Sequence, residues 1–262
     1  MFLLLYAKIV FVTMKENFIG CEEQMTLLDN YFSSNRSEFV AIYGQWRFGK
    51  IFLVKELFEN QFTFRMTVWQ HQQNVSYCLY GSKMHMMTNL FQKKSYQFYK
   101  FGELLYVKSI PFEIWLPYIQ KGFAKQGKHI SEQLVRELCE SVDYQSSYVQ
   151  QLAYDTLLLT EKEVTEDILE TAFNDLVDQN SIVFIEQTQS LTSYQLNFLR
   201  AVLVGQSTDF GKKDLREKYD YGSPSNIARL KNALTAKELI EPTAKGYVIG
   251  DPVLRLWLRW VL

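Results

Sequence analysis

Two glycines and a lysine in this chain have the spacing of a phosphate-binding loop. Gly44 and Gly49 enclose four residues, and Lys50 follows the second glycine directly. The backbone N–H groups of such a loop form a concave nest for phosphate oxygens, and the lysine ammonium reaches the β- and γ-phosphates. The pattern therefore predicts a nucleotide-binding site. Its residues are Gly44, Gln45, Trp46, Arg47, Phe48, Gly49, Lys50 and Ile51.

The groups that would hold Mg²⁺ beside this loop are missing from the pattern. Ile51 stands where a serine or threonine hydroxyl normally binds the metal. The second group required for Mg²⁺ is an acidic residue at the end of an apolar strand. Residues 182–186 match this pattern, but they lie roughly 130 residues after the loop and have helical spacing. The charge of a transferring phosphoryl group would then go largely unneutralised. We therefore expect weak or vestigial ATP binding, doubtful Mg²⁺ binding and little or no hydrolysis.

The segments around the loop have the pattern of a parallel α/β sheet. Residues 39–43 are an uninterrupted apolar run, which is typical of a buried parallel strand, and residues 51–60 have helical spacing. This order of strand, loop and helix is the context that a phosphate-binding loop requires. Further elements are predicted as a helix over 22–32 and strands over 62–69, 77–80 and 104–107.

The chain becomes helical after residue 111. No glycine or proline interrupts residues 128–204. Thr160 and Glu163 fit a capping box, in which the two side chains satisfy backbone N–H groups at a helix start. We therefore predict a helical bundle. Its helices are predicted over 112–125, 130–141 and 144–159, with a fourth after the capping box.

The C-terminal part has the order of a winged helix-turn-helix, in which three helices precede a hairpin. Ser223 as a cap and Pro224 at the first helical position mark the start of the third helix. Gly246 marks the turn of the hairpin. The helices are predicted over 194–204, 212–219 and 223–240, and the hairpin over 241–249.

The third helix of this region would place its N-terminal part in a DNA major groove. Residues 211–245 carry eight Lys or Arg against five Asp or Glu, so the local net charge of +3 is only mildly basic. Docking against a protein, or within the chain, is an equal alternative. The predicted DNA contacts are Ser225, Asn226, Arg229 and Lys231. Leu256, Trp257, Leu258 and Trp260 are expected in the core or in a contact that closes back on the bundle.

Composition excludes several other classes of protein. The chain has 262 residues, of which 15% are aromatic, and 28 basic against 29 acidic side chains. The net charge of −1 removes the argument for a nucleic-acid partner over the whole surface, and the aromatic content argues against disorder. Cys21, Cys78 and Cys139 are far apart and accompany only three histidines, so no disulfide framework or metal site is predicted. We expect reduced thiols in a cytoplasmic protein.

The first residues are apolar, but the run is too short to cross a membrane as a helix. It is about 12 residues long, contains Lys8 and lacks a small-residue cleavage site, so neither a membrane span nor a signal peptide is predicted. The favoured interpretation is an over-extended translation start, with Met14 rather than Met1 as the true first residue. An uncleaved interfacial anchor is the alternative.

Several segments together resemble the archaeal-type prokaryotic ATPases, which are AAA-like P-loop proteins of the STAND clade with a winged-helix tail. Residues 18–23 are similar to the family's FIGREEE lead-in, and residues 43–51 to its loop YGRRRVGKT. Residues 79–82 are similar to its sensor strand, which ends in Gly-Ser. The other matching segments are 109–112, 148–152, 178–181 and 251–257. The resemblance implies ATP or ADP as ligand, with adenine contacts at Phe18 and Ile19.

The chain departs from this family at functional positions. Cys21 replaces an arginine of the lead-in, Gln45 and Trp46 replace two arginines of the loop, and Ile51 replaces threonine. Residues 97–102 lack the arginine of the family's Tyr-Gly-Arg. Roughly 70 residues that carry the acidic magnesium strand are also absent before the sensor strand. The resemblance therefore implies an internally deleted, degenerate ATPase whose activity is lost or weak.

These observations predict a chain of class α/β plus all-α. A truncated P-loop NTPase α/β domain is expected over 15–110, after an apolar extension over 1–14. A helical lid or bundle domain over 111–192 and a winged helix-turn-helix domain over 193–262 follow. The first functional hypothesis is an ATP-binding protein with little or no hydrolysis. The second is a DNA- or protein-binding winged helix with a vestigial P-loop, and a remnant without a cellular role is the third.

Overall fold

In a computed structural model of the chain, the structure describes Gly20 and residues 22–33, 39–43, 77–81, 91–92, 94 and 103–262. The described residues are mostly helical. They form two compact units. The first unit consists of the described residues up to Glu140 together with Tyr144–Gln151, and the second consists of Ser141–Asp143 together with Leu152–Leu262. None of the described helices is long and apolar enough to cross a bilayer. The helix predicted over 51–60 and the strand predicted over 62–69 lie outside the described residues.

The first unit contains a three-stranded parallel sheet. Its strands are β1 (Phe39–Tyr43), β2 (Tyr77–Gly81) and β3 (Glu103–Tyr106), and β1 lies between the other two. The middle of β1 is at most 1% exposed, as an uninterrupted apolar run predicts for a strand that is covered on both faces. The strands predicted at these three places are confirmed.

The helices of the described chain up to residue 159 are close to their predicted ranges. The helix predicted over 144–159 begins at Ser146 instead, because Asp143 and Tyr144 have φ angles of 49° and 55°, which no right-handed helix accommodates. The helix predicted over 130–141 begins at Glu132 and is capped by Ser131, whose hydroxyl accepts a hydrogen bond from the Leu134 N–H at 3.3 Å. The helices are α1 (Glu22–Ser33), α2 (Phe112–Lys125), α3 (Glu132–Ser141) and α4 (Ser146–Leu159).

The capping box predicted at Thr160 is wrong. The next helix, α5 (Glu166–Gln189), begins instead at Thr165, whose hydroxyl accepts a hydrogen bond from the Ile168 N–H. The Thr160 side chain is buried at the end of α4 and donates to the carbonyl oxygen of Thr156 at 2.6 Å. The Thr160 hydroxyl thus bonds the preceding turn of α4, and the side-chain cap of α5 is supplied by Thr165.

The C-terminal elements have the predicted order of three helices and a hairpin. The third helix ends at Ala236 rather than 240, since Glu238 has a φ angle of 61°. Ser223 precedes it as predicted, but its hydroxyl bonds the Ser225 hydroxyl and caps no backbone N–H. The elements are α6 (Ser193–Leu203), α7 (Lys213–Tyr219), α8 (Pro224–Ala236), β4 (Glu241–Thr243) and β5 (Gly246–Val248).

A final helix, α9 (Pro252–Val261), was not predicted. Its signal is the Asp251-Pro252 pair, because the Asp251 carboxylate accepts hydrogen bonds from two backbone N–H groups and proline takes the first helical position. The helix packs on α5, where the rings of Trp257 and Phe184 lie 5.9 Å apart. Trp257 and Leu258 are buried, as expected for a segment that closes back on the bundle, and Leu256 is half-buried. The expectation is wrong for Trp260, whose side chain is 53% exposed.

Candidate functional site

The carboxyl end of β1 is the place from which the predicted phosphate loop departs. Tyr43, the last residue of β1, pairs with Gly81 of β2 on one side and with Tyr106 of β3 on the other. All three strands run parallel, so their carboxyl ends meet at one edge of the sheet. Ligands of open parallel sheets bind outside this edge. β2, which resembles the family's sensor strand, is thus the direct neighbour of β1.

The loop itself lies outside the described residues. This applies to Gly44–Lys50 with Ile51, and to the predicted adenine contacts Phe18 and Ile19. Their contacts with a nucleotide stay predictions.

The end of the lead-in packs tightly against the segment that follows β3. Gly20 has a φ angle of 73°, and a Cβ added to it would lie 2.7 Å from Cγ1 of Ile110. Only glycine fits this position, because a side chain would be strained by the backbone and would overlap a branched neighbour. Gly20 and Ile110, which belong to two of the segments that carry the family resemblance, are therefore in contact.

The apolar run that matched a magnesium strand does not form one. Residues 182–186 lie inside α5, where Glu186 is exposed. Within the described ranges, no group of three His, Cys, Asp or Glu side chains is placed to hold a metal ion. Cys139 is a poor ligand as well, since burial, together with the nearby Glu140, raises the pKa of its thiol to about 12. Glu186 therefore does not end a strand beside the loop, and the absence of a magnesium site at Ile51 stays a prediction.

Three buried aromatic rings form part of the core of the C-terminal region, which contains three helices and the hairpin. Phe198 is stacked on Phe210 with ring centroids 4.5 Å apart, and it meets the edge of Tyr221 at 5.3 Å. All three side chains are at most 2% exposed. The Tyr221 hydroxyl donates a hydrogen bond of 2.8 Å to the carbonyl oxygen of Phe210, so its one polar atom is satisfied.

The hairpin β4–β5 is tied to the loop before α7. The Tyr247 N–H donates to the carbonyl oxygen of Ser207 at 2.9 Å. Gly246 has a φ angle of 118°, and a Cβ added to it would overlap the same carbonyl group. The sequence marked Gly246 as a turn residue, whereas its structural requirement is this close approach of two backbones.

The N-terminal half of α8 carries three of the four predicted DNA contacts. Ser225 and Arg229 are exposed, and Asn226 is half-buried. The Arg229 Nε donates to the Asn226 Oδ1 at 3.0 Å. Residues three and four apart lie on one side of a helix, so these side chains form one surface.

Lys231, the fourth predicted contact, has a different environment. Its ammonium lies 4.9 Å from the ring centroid of Phe210 and 4.7 Å from that of Tyr247. The reason is its position on α8, three residues before the buried Leu234 and next to the buried Leu230. The two cation–π contacts link α8 to β5 and to the loop before α7. A DNA contact of Lys231 stays a prediction.

Asp155 on α4 is a half-buried carboxylate in an unfavourable place. Burial raises its pKa above the usual value of 3.8, and the nearby Asp175 raises it further. Its Oδ2 is buried and has no hydrogen-bond partner among the described residues. The native state therefore binds a proton more tightly than the unfolded chain, and this group costs stability that builds up as the pH rises above 3.8 and is complete above its native pKa.

Replacing Asp155 with asparagine is expected to raise the free energy of unfolding at pH 7 by about 0.5 kcal/mol, the size of a close like-charge repulsion. The gain should shrink as the pH falls toward 3.8, where the native carboxyl is already protonated. Urea unfolding of both proteins between pH 4 and 7 measures this difference. The exposed Asp178→Asn is the control, and an equal gain in it would show that net charge rather than Asp155 is responsible.

Comparisons with known proteins give a match to the C-terminal region and a match over most of the chain. The family model described as "Probable winged helix domain" matches residues 182–260. No curated protein sequence matches the chain. Among the solved structures that match the chain is "The Walker-type ATPase PaBY2304 of Pyrococcus abyssi", with a TM-score of 0.69 at 12% sequence identity. The match covers 94% of this chain and 97% of that one. The chain thus contains a winged helix domain, and its fold is similar to that of a Walker-type ATPase.

Proposed function

We propose that this chain binds ATP or ADP through residues 44–51 and that it hydrolyses ATP weakly or not at all. The observation that carries the proposal is the central strand β1, whose carboxyl end leads directly into Gly44 and the following loop. The likeness in fold to a Walker-type ATPase supports it. The backbone N–H groups and Lys50 would hold the phosphates. Phe18 and Ile19 are the proposed adenine contacts.

The proposal assigns no metal-dependent step to the site. Ile51 has no oxygen for Mg²⁺, and Glu186 lies in a helix. The charge that develops on the phosphates would meet the cationic side chains and backbone dipoles of the loop without a metal ion, and such a site binds a ground-state nucleotide but provides little transition-state stabilisation. Ile51→Thr alone is therefore expected not to restore turnover.

Binding of a fluorescent ATP analogue to the whole chain tests this proposal. We expect saturable binding that is weakened at least about tenfold in Lys50→Ala, because the lysine ammonium of such a loop reaches the β- and γ-phosphates. Lys125→Ala, at an exposed lysine in the last turn of α2, is the matched control and should bind as the wild type does. A folded wild-type protein that fails to bind the analogue would contradict the proposal.

A second function, binding of duplex DNA by the winged helix domain, is favoured by the exposed face of α8. Ser225 and Arg229 are accessible there, and Lys245 is exposed at the tip of the hairpin. Helices in this position of a winged helix enter the major groove. Docking of a protein partner on the same face is the alternative. Retardation of a DNA duplex that weakens steeply with salt would support DNA, whereas no retardation at low salt would exclude it.

The domain limits at 14, 110 and 192 and a cytoplasmic location stay predictions. They follow from the same sequence patterns, and expression of residues 193–262 alone would test the last limit. We expect this fragment to fold, but less stably than residues 182–262, because it lacks Phe184, which packs against Trp257.

A further inference from the structure

The contact between Asn226 and Arg229 defines how the face of α8 would be used. The Arg229 Nε donates to the Asn226 Oδ1 at 3.0 Å, and among the described residues this is the hydrogen bond recorded for the Arg229 guanidinium. Asn226 lies beside Gly222, since a Cβ added to that glycine would be 3.4 Å from its Nδ2. The guanidinium plane is thus fixed through Nε, and the terminal pair Nη1 and Nη2 remains as a fork of donors.

The same contact changes the chemistry available to Asn226. An asparagine that reads adenine uses its amide oxygen and nitrogen together, against N6 and N7 of the base. The Asn226 oxygen is already engaged by Arg229. Asn226 therefore fits a positioning role better than a base-reading one.

From this arrangement we infer that Arg229 reads a guanine edge in the major groove and that Asn226 sets the orientation of Arg229. The inference rests on the proposed DNA-binding function. Guanine is the base whose major-groove edge offers two neighbouring acceptors, O6 and N7, which match a fork that contains only donors. Lys231, held over two rings, and Ser225, bonded to Ser223, have no equivalent fork.

The test is binding of the whole chain to a duplex of alternating dG and dC, about two helical turns long, and to the same duplex with 7-deazaguanine in place of guanine. The modified base lacks only the N7 acceptor, so the phosphate charge is unchanged. We expect the wild type to bind the modified duplex at least about fivefold more weakly. Arg229→Ala removes the donors, and it should bind the two duplexes with affinities within about twofold of each other.

Two further variants separate orientation from general effects. Asn226→Ala should lose most of the discrimination between the duplexes while keeping the salt dependence of binding, because no phosphate contact is removed. Arg200→Ala is the matched control, since Arg200 forms a similar pair with Asn197 on α6, at 3.3 Å and the same spacing. It should discriminate as the wild type does.

Each outcome has one meaning. Equal binding of both duplexes by the wild type would overturn guanine reading by Arg229 and leave DNA binding intact. Full discrimination by Asn226→Ala would overturn the positioning role. Failure of the wild type to bind either duplex at low salt would overturn the DNA-binding function itself.

Discussion

Replacing Phe198 with alanine is expected to lower the free energy of unfolding of the winged helix domain by about 3–5 kcal/mol. The ring is completely buried and stacked on Phe210 at 4.5 Å, with the edge of Tyr221 at 5.3 Å. Its loss removes apolar burial and two aromatic contacts, and it leaves a cavity that rigid neighbouring rings fill poorly. Hydrogen exchange of amides in residues 193–262 measures the loss without interference from the rest of the chain.

The control for this prediction is Val204→Ala, because Val204 directly follows α6 and its side chain is 65% exposed. Its effect should stay within about 0.5 kcal/mol. Comparable losses in both variants would mean that the three rings do not form the core of this domain.

The second large effect is expected for Gly246→Ala. A side chain there would meet the Ser207 carbonyl group, and the φ angle of 118° is one that residues with a Cβ rarely adopt. Strain and overlap together should cost about 3 kcal/mol or more. The hairpin should separate from the loop before α7, so the loss of amide protection is expected first at Tyr247, whose N–H bonds Ser207.

Gly211→Ala provides the matched control in the same loop region. An added Cβ at Gly211 meets no described atom within 4 Å, and its φ angle is not positive. The substitution should be neutral or stabilise by up to about 1 kcal/mol, because alanine reduces the entropy of the unfolded chain. If Gly246→Ala proved as mild as Gly211→Ala, the docking of the hairpin on this loop would be wrong.

The regular elements were predictable because their signals are local. The apolar run 39–43 predicts a strand that is covered on both faces, and the middle of β1 is buried. Helical spacing predicts both the first and the last residue of α2. The winged helix order was also correct, and the family model confirms a winged helix domain there. The predicted start of α5 was wrong because two threonines have similar sequence surroundings. Thr160 and Thr165 both stand before acidic residues, and only the structure shows that the Thr165 hydroxyl accepts from a backbone N–H.

The chemistry of individual side chains was predictable only in part. Lys231 is one residue from Leu230 and three from Leu234, so helical spacing already placed it beside the buried side of α8. Its partners Phe210 and Tyr247 are distant in sequence, and no local pattern indicates that their rings meet its ammonium. The pairing of Asn226 with Arg229 has a local signal, since they are three apart on a helix.

The central claim is a phosphate-binding loop that works without its metal site. Its most direct test is the ratio of ATP affinities measured in excess Mg²⁺ and in excess chelator. We expect a ratio within about twofold of one, since the Ile51 side chain offers no oxygen to the metal. ATP binding that becomes about tenfold tighter with Mg²⁺, and is accompanied by turnover, would show a metal site that this account denies.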